Sequence, residues 1–224
     1  MPSNRKTIFA NGEIYHVFNR GVEKRPTFTN RKEFIRGMET LKYYRFKEAK
    51  PRFSHFLNLD NEAQLLALDR MGSSPKHVEI LAYCFMPNHF HFLLRQSADR
   101  GISRFVANFT NSYTKYFNTK YDRVGPLFQG IFKAVHIEHD EQLIHVSRYI
   151  HLNPVTSFLV EPEDIKSYEW SSFADYANGH TSDILEKNEI LGFFPDSQKY
   201  IEFILDQASY TRNFEKIKHL TFEA

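Results

Sequence analysis

Tyr83-Cys84-Phe85-Met86-Pro87-Asn88-His89-Phe90-His91-Phe92-Leu93-Leu94 is the stretch on which the fold turns. Val78 to Phe85 is apolar and aromatic enough for a buried strand, Pro87-Asn88 is a turn signal, and His89 to Arg95 reads as a returning strand. Together they predict a β-hairpin. Residues i and i+2 of a strand share a face, so His89 and His91 project together, about 7 Å apart at the backbone. Phe90 and Phe92 would anchor the other face. Neutral imidazole is a common metal ligand, so the pair is half of a metal site. The plainer reading is two polar side chains on a solvent-facing side.

Upstream, Glu13 to Asn19 alternates, with Ile14, His16 and Phe18 on one side and Tyr15 and Val17 on the other. Gly21 ends this strand. Asn30 with Glu33 three residues on resembles a capping box. Phe34, Met38 and Leu41 then give helical spacing to about Ala49, where Pro51 stops it. Residues 52–76 are less periodic, with a short helix expected at Leu65 to Leu68 and a loop at Gly72-Ser73-Ser74-Pro75.

Downstream, Ile102, Phe105, Val106, Phe109, Tyr113 and Phe117 mark one face of an amphipathic helix, and Gly125-Pro126 ends the region. Ile131 to Ile137 is a fourth strand. Asp140 is expected to cap a helix through Leu152, ended by Asn153-Pro154. The order β-α-β-β-α-β-α predicts an α+β fold: a ferredoxin-like, split βαβ antiparallel sheet with packed helices. Tyr168-Glu169-Trp170-Ser171-Ser172-Phe173 holds the only Trp and should dock on this body. Residues 183–194, 197–208 and 211–220 read as short helices. The predicted division is therefore a catalytic domain over 1–173 and a C-terminal helical extension over 174–224.

Composition narrows the function. The chain has 224 residues, 42% hydrophobic, with 22 Phe, 12 Tyr and a single Cys, enough for a real core. One cysteine excludes a disulfide framework or a cysteine-based zinc site within the chain and fits a reducing compartment. No apolar run is long enough to span a bilayer, and Met1 to Phe9 lacks a signal-peptide core, so a cytoplasmic, nucleoid-associated protein is expected. Net charge is only +2, but residues 1–52 carry 13 Lys or Arg against 5 Asp or Glu. Residues 182–206 are acidic. A basic body with an acidic tail fits a polyanion partner, although charged faces are often merely solvated.

Within Arg148-Tyr149-Ile150-His151-Leu152-Asn153-Pro154-Val155, Tyr149 and Asn153 are four apart and share a face if the turn is helical. Pro154 leaves the conformation of Asn153 open. An Asn amide oxygen suits a hard divalent cation, and a phenol is a known covalent nucleophile. His89, His91, Asn153 and Tyr149 together suit phosphoryl chemistry.

Five segments in order carry a resemblance: Tyr15 to Gly21, Met86 to His91, Gly125 to Lys133, Arg148 to Val155 and Tyr168 to Ser172. Together they resemble the REP-associated tyrosine transposases, within the insertion-sequence-200-like, single-tyrosine HUH group, where HUH denotes His-hydrophobe-His. The resemblance implies that His89 and His91 bind Mg²⁺ or Mn²⁺ and that Asn153 matches a third ligand. It implies that Tyr149 attacks a phosphodiester of single-stranded DNA bearing a palindromic hairpin, leaving a 5′-phosphotyrosine link and a free 3′-OH. Relatives include monomers and homodimers. One departure is Ile131, where relatives usually have Arg; Lys133 is kept.

Other residues compete for roles. His145, four before Tyr149, is an alternative third ligand. His16 sits beside the site or merely packs. Arg20, Lys24 and Arg25 are the expected hairpin phosphate contacts, joined by Lys115, Lys120, Arg123 and Lys133. Tyr116 and Tyr121 either touch DNA or belong to plain surface. A domesticated, non-catalytic hairpin-binding protein is the rival function. The intact His89, His91, Tyr149 and Asn153 set argues against it, because binding alone does not require them.

Overall fold

The computed structural model describes residues 7–178 and 182–208. The chain runs through β1 (Ile14–Arg20), α1 (Arg31–Tyr44), α2 (Phe53–Phe56), α3 (Asn61–Gly72), β2 (Val78–Met86) and β3 (His89–Gln96). It continues through α4 (Gly101–Lys120), β4 (Lys133–His136), α5 (Asp140–Thr156), α6 (Phe173–Ala177), α7 (Asn188–Leu191) and α8 (Ser197–Asp206). The sheet order is β2-β3-β1-β4, with every pairing antiparallel. This is an α+β, ferredoxin-like core with a C-terminal helical region.

Strand alternation sorts the side chains. Phe90 and Phe92 are fully buried and meet Phe109 of α4 at ring distances of 5.2 and 5.3 Å. Burying each such side chain is worth about 1.5–3 kcal/mol. Phe85 meets Phe28 on the same side at 5.2 Å. There α1 comes so close that a Cβ on Gly37 would lie 2.9 Å from the Phe28 ring. So α1 and α4 cover one face, while α5 packs against β2 and β3 on the other. His89 and His91 belong to the α5 face.

Several boundaries differ from expectation. Helix α1 stops at Tyr44, not Ala49, because the backbone is taken into other pairings: His77 N–H donates to Arg45 C=O and Lys47 N–H to Pro75 C=O. Helix α3 is longer than the Leu65–Leu68 turn, capped by Asp60 accepting from Ala63 N–H. Strand β4 begins at Lys133, because residues before it bond the end of β1 instead, Gln129 N–H donating to Arg20 C=O. Asp140 is not the cap of α5 but its first residue; His139 is the cap. The carboxylate there still favours the positive helix end.

The larger correction concerns Pro154. Helix α5 continues through it to Thr156. Proline removes one backbone bond and disfavours the helical state of Asn153. Residues Ile150 to Val155 are all buried, and packing overrides the local penalty.

The tail is docked. Trp170 stacks on Phe34 at 4.7 Å, and Ser171 bridges Cys84. Leu185 pairs in parallel with Ile80, so only four residues of the expected 183–194 helix form α7. Acidic Glu186 and Glu189 bind Lys76 and Arg95. The expected 211–220 helix lies outside the described residues. Among the described residues, no helix is long and apolar enough to cross a membrane.

Candidate metal and nucleophile site

Register builds the site. Phe18 lies opposite His91, and Arg20 opposite His89. Opposed residues of an antiparallel pair share a face, so His16, Phe18, Arg20, His89 and His91 line one surface. Helix α5 crosses it, and its four-residue spacing turns Tyr149 and Asn153 toward the sheet. The Tyr149 ring stands edge-on to His91 at 5.3 Å and to His16 at 5.9 Å. It remains 50% exposed, open to solvent. Asn153 is buried, and its Oδ1 lies 3.1 Å from His89 Nε2.

The hydrogen-bond pattern around His89 bears on metal binding. Its Nδ1 lies 2.6 Å from Asn88 Oδ1. A neutral imidazole carries one N–H. With the proton on Nε2, His89 donates to Asn153 and the pair is an ordinary hydrogen bond. With it on Nδ1, His89 donates to Asn88, and its Nε2 lone pair faces the Asn153 oxygen with no proton between them. Two opposed lone pairs suit a shared cation. His91 Nδ1 lies 2.9 Å from His16 Nε2. A bond there frees His91 Nε2 and fixes its ring, as outer partners of metal-bound histidines do.

Burial holds these rings neutral. It lowers His16 to about 4 and, with Arg20 nearby, His89 to about 4, against a small opposing effect of the Asn153 bond. His91 is pushed well down by burial, then by His16, His89 and Arg20. Neutral imidazoles keep the lone pairs a metal needs. Among the described residues, no group of three or more His, Cys, Asp or Glu is poised to hold a metal. The third donor beside the two strand histidines is an amide, and the donor set fits a divalent ion.

His145 is not brought to this point. Its Nδ1 lies 2.6 Å from Arg148 Nη2, and its ring packs against Phe203 at 5.6 Å. His16, left open by the sequence, is a direct partner of His91. By sequence Asn88 is only a turn residue; its position just before His89 is the available signal. His151 carries no such local signal. Buried beneath α5, it joins Tyr200 OH at 2.7 Å and Ser172 Oγ at 2.8 Å, tying α5 to α8.

The predicted DNA contacts divide. Arg20 ends β1 beside His89, and Lys24 lends its carbonyl to Asn88. Arg25 pairs with Glu23 at 2.9 Å. Lys133 lies opposite Phe18 and so shares the site face. Lys115, Lys120 and Arg123 lie on or just after α4, across the sheet. Lys120 is bound at 2.7 Å to Glu33, a fully buried carboxylate, and Arg123 to Asn118 at 2.7 Å. Tyr121 also donates to Glu33. Ile131 is 55% exposed, outside β4.

Comparison with known proteins bears on the fold and the family. A solved structure described as the REP-associated tyrosine transposase bound to a REP hairpin is similar at a TM-score of 0.50 and 16% identity. The match covers 82% of this chain and 94% of that one. At that identity the likeness speaks to the fold. No curated protein matches the chain. A family model described as "Transposase IS200 like" matches residues 42–153, half of the chain, a span that holds His89, His91, Tyr149 and Asn153. The chain therefore belongs to the IS200-like transposase family.

Proposed function

We propose that this protein is a metal-dependent single-strand DNA endonuclease and strand transferase, acting on hairpin-forming DNA through a covalent 5′-phosphotyrosine intermediate. The observation that carries the reading is one helix face presenting a half-exposed Tyr149 against His91 and, one turn on, Asn153 against His89. In this reading the Tyr149 oxygen gives its proton to solvent and attacks phosphorus. The bond to the 3′-oxygen breaks, and that oxygen takes up a proton and leaves as a 3′-OH. A 3′-OH attacking the phosphotyrosine reverses the step and joins strands. Mg²⁺ or Mn²⁺ held by His89, His91 and Asn153 would supply Lewis acidity to the scissile phosphate. Arg20, Lys24, Arg25 and Lys133 would hold flanking phosphates.

Catalysis is assigned to residues 1–173, with 174–224 as a C-terminal helical extension, in a cytoplasmic, nucleoid-associated monomer or homodimer. The test is a denaturing gel of labelled hairpin DNA with Mn²⁺. Wild type should give a protein–DNA adduct that chelator abolishes. Tyr149→Phe should give none while still binding the hairpin. An adduct from that variant places the nucleophile elsewhere.

A further inference from the structure

Across the sheet from Tyr149, α1, α4 and the segment leading into α2 line an open cavity of about 830 Å³. Arg36, Lys50, Arg52, Lys115 and Lys120 line it, and no carboxylate does among the described residues. The hydroxyls and amides of Ser54, Asn108 and Asn111 supply further polar groups. Arg36 is only 8% exposed, yet its Nε has no hydrogen-bond partner among the described residues. Its guanidinium is held between the Phe53 and Tyr116 rings, at 4.3 and 5.1 Å. Glu39 acts on it only at a distance.

A cation buried without a bonded counter-charge is costly, and a bound anion offsets that cost. Two neighbours are already engaged: Lys120 binds Glu33, and Lys50 lies 3.6 Å from Glu48. Arg52 and Lys115 are exposed and form no ion pair among the described residues. Tyr116 and Tyr44 add aromatic surface at the wall. Cations, amides and aromatic rings together match a nucleotide, with phosphate on the cations and base against the rings.

We infer that this cavity is a second nucleic-acid site, which seats a nucleotide of the DNA strand on the face opposite the nucleophile. The inference rests on the DNA-processing reading but concerns binding alone. A free nucleotide offers the same chemistry, so both sources are tested.

The probes are a labelled single-stranded oligonucleotide of about ten nucleotides and deoxyadenosine monophosphate. They are titrated into wild type and an Arg52→Ala/Lys115→Ala double variant, with metal withheld so that no cleavage intervenes. Both substituted side chains are exposed, so the fold should survive. The expected result is about tenfold weaker oligonucleotide binding, with the salt dependence reduced by about two phosphate contacts. A 5-iodouracil oligonucleotide should crosslink to Tyr116 in wild type. Monophosphate binding that depends on Arg52 and Lys115, without such dependence for the oligonucleotide, overturns the strand assignment in favour of a free nucleotide. Affinity for both probes unchanged by the double variant overturns the site altogether. Because the adduct gel reads Tyr149 chemistry and this titration does not, either reading can fail alone.

Discussion

The two faces of β3 are built from adjacent residues and behave as opposites. Phe90 and Phe92 stack on each other at 4.4 Å beneath α4, with no polar atom to satisfy. His89 and His91, interleaved with them, each hold a named polar partner and meet a helix that leaves Tyr149 half exposed. The phenylalanines anchor the strand, so the imidazoles can be aimed without having to supply stability themselves. Preorganisation of this kind is what a catalytic or metal site requires.

That contrast can be broken from either side. Tyr149→Phe should abolish the adduct entirely while shifting unfolding by no more than about 0.5 kcal/mol, as an exposed-site change does. A large loss of stability would mean Tyr149 belongs to the core. Phe92→Ala should cost about 3–5 kcal/mol in urea titration through the cavity it leaves. Asn88→Ala should keep the fold but weaken Mn²⁺ binding about ten- to hundredfold by calorimetry, through loss of the His89 Nδ1 partner. Unaltered affinity would leave Asn88 a turn residue only. Tyr200→Phe should cost about 1–3 kcal/mol, because His151 and Ser147 lose their shared hydroxyl deep under α5.

The smallest effect separates the faces by pH. Under α5, burial lowers His151 to about 3, below its unfolded value of 6.5. The unfolded chain therefore takes up this proton first, and stability falls as pH drops from 6.5 toward 3. On the other face, burial pushes Glu33 up, but its bonds to Lys120, Tyr121 and Thr29 outweigh burial and hold it at about 2. Its contribution is present above 4.5 and is lost as pH falls toward 2. Chemical denaturation of wild type, His151→Gln and Glu33→Gln from pH 7 to 2.5 should show the first variant flattening the upper window and the second the lower.

Much of this was legible because strand and helix periods are local. Ile14, His16 and Phe18 share a face by alternation alone, and Tyr149 and Asn153 by one helical turn. Lys120 shows the limit. Nothing near it in sequence announces that Glu33, far back in the chain at the start of α1, captures its charge. Helix α3 outruns its expected Leu65–Leu68 turn for a related reason: Leu65, Leu66 and Leu68 are exposed, so no apolar stripe marks the helix.

By itself the sequence determined the strand faces, the His89-Phe90-His91 pair and the Tyr149–Asn153 spacing, because each depends on residues a few positions apart. Only the tertiary structure decided that α5 continues through Pro154, that His16 partners His91, and that Asn153 rather than His145 meets His89. It also decided that the basic residues lie on two opposite faces. The physical reason is common to all four: each is set by packing between segments distant in the chain, where burial and paired hydrogen bonds outweigh local preference.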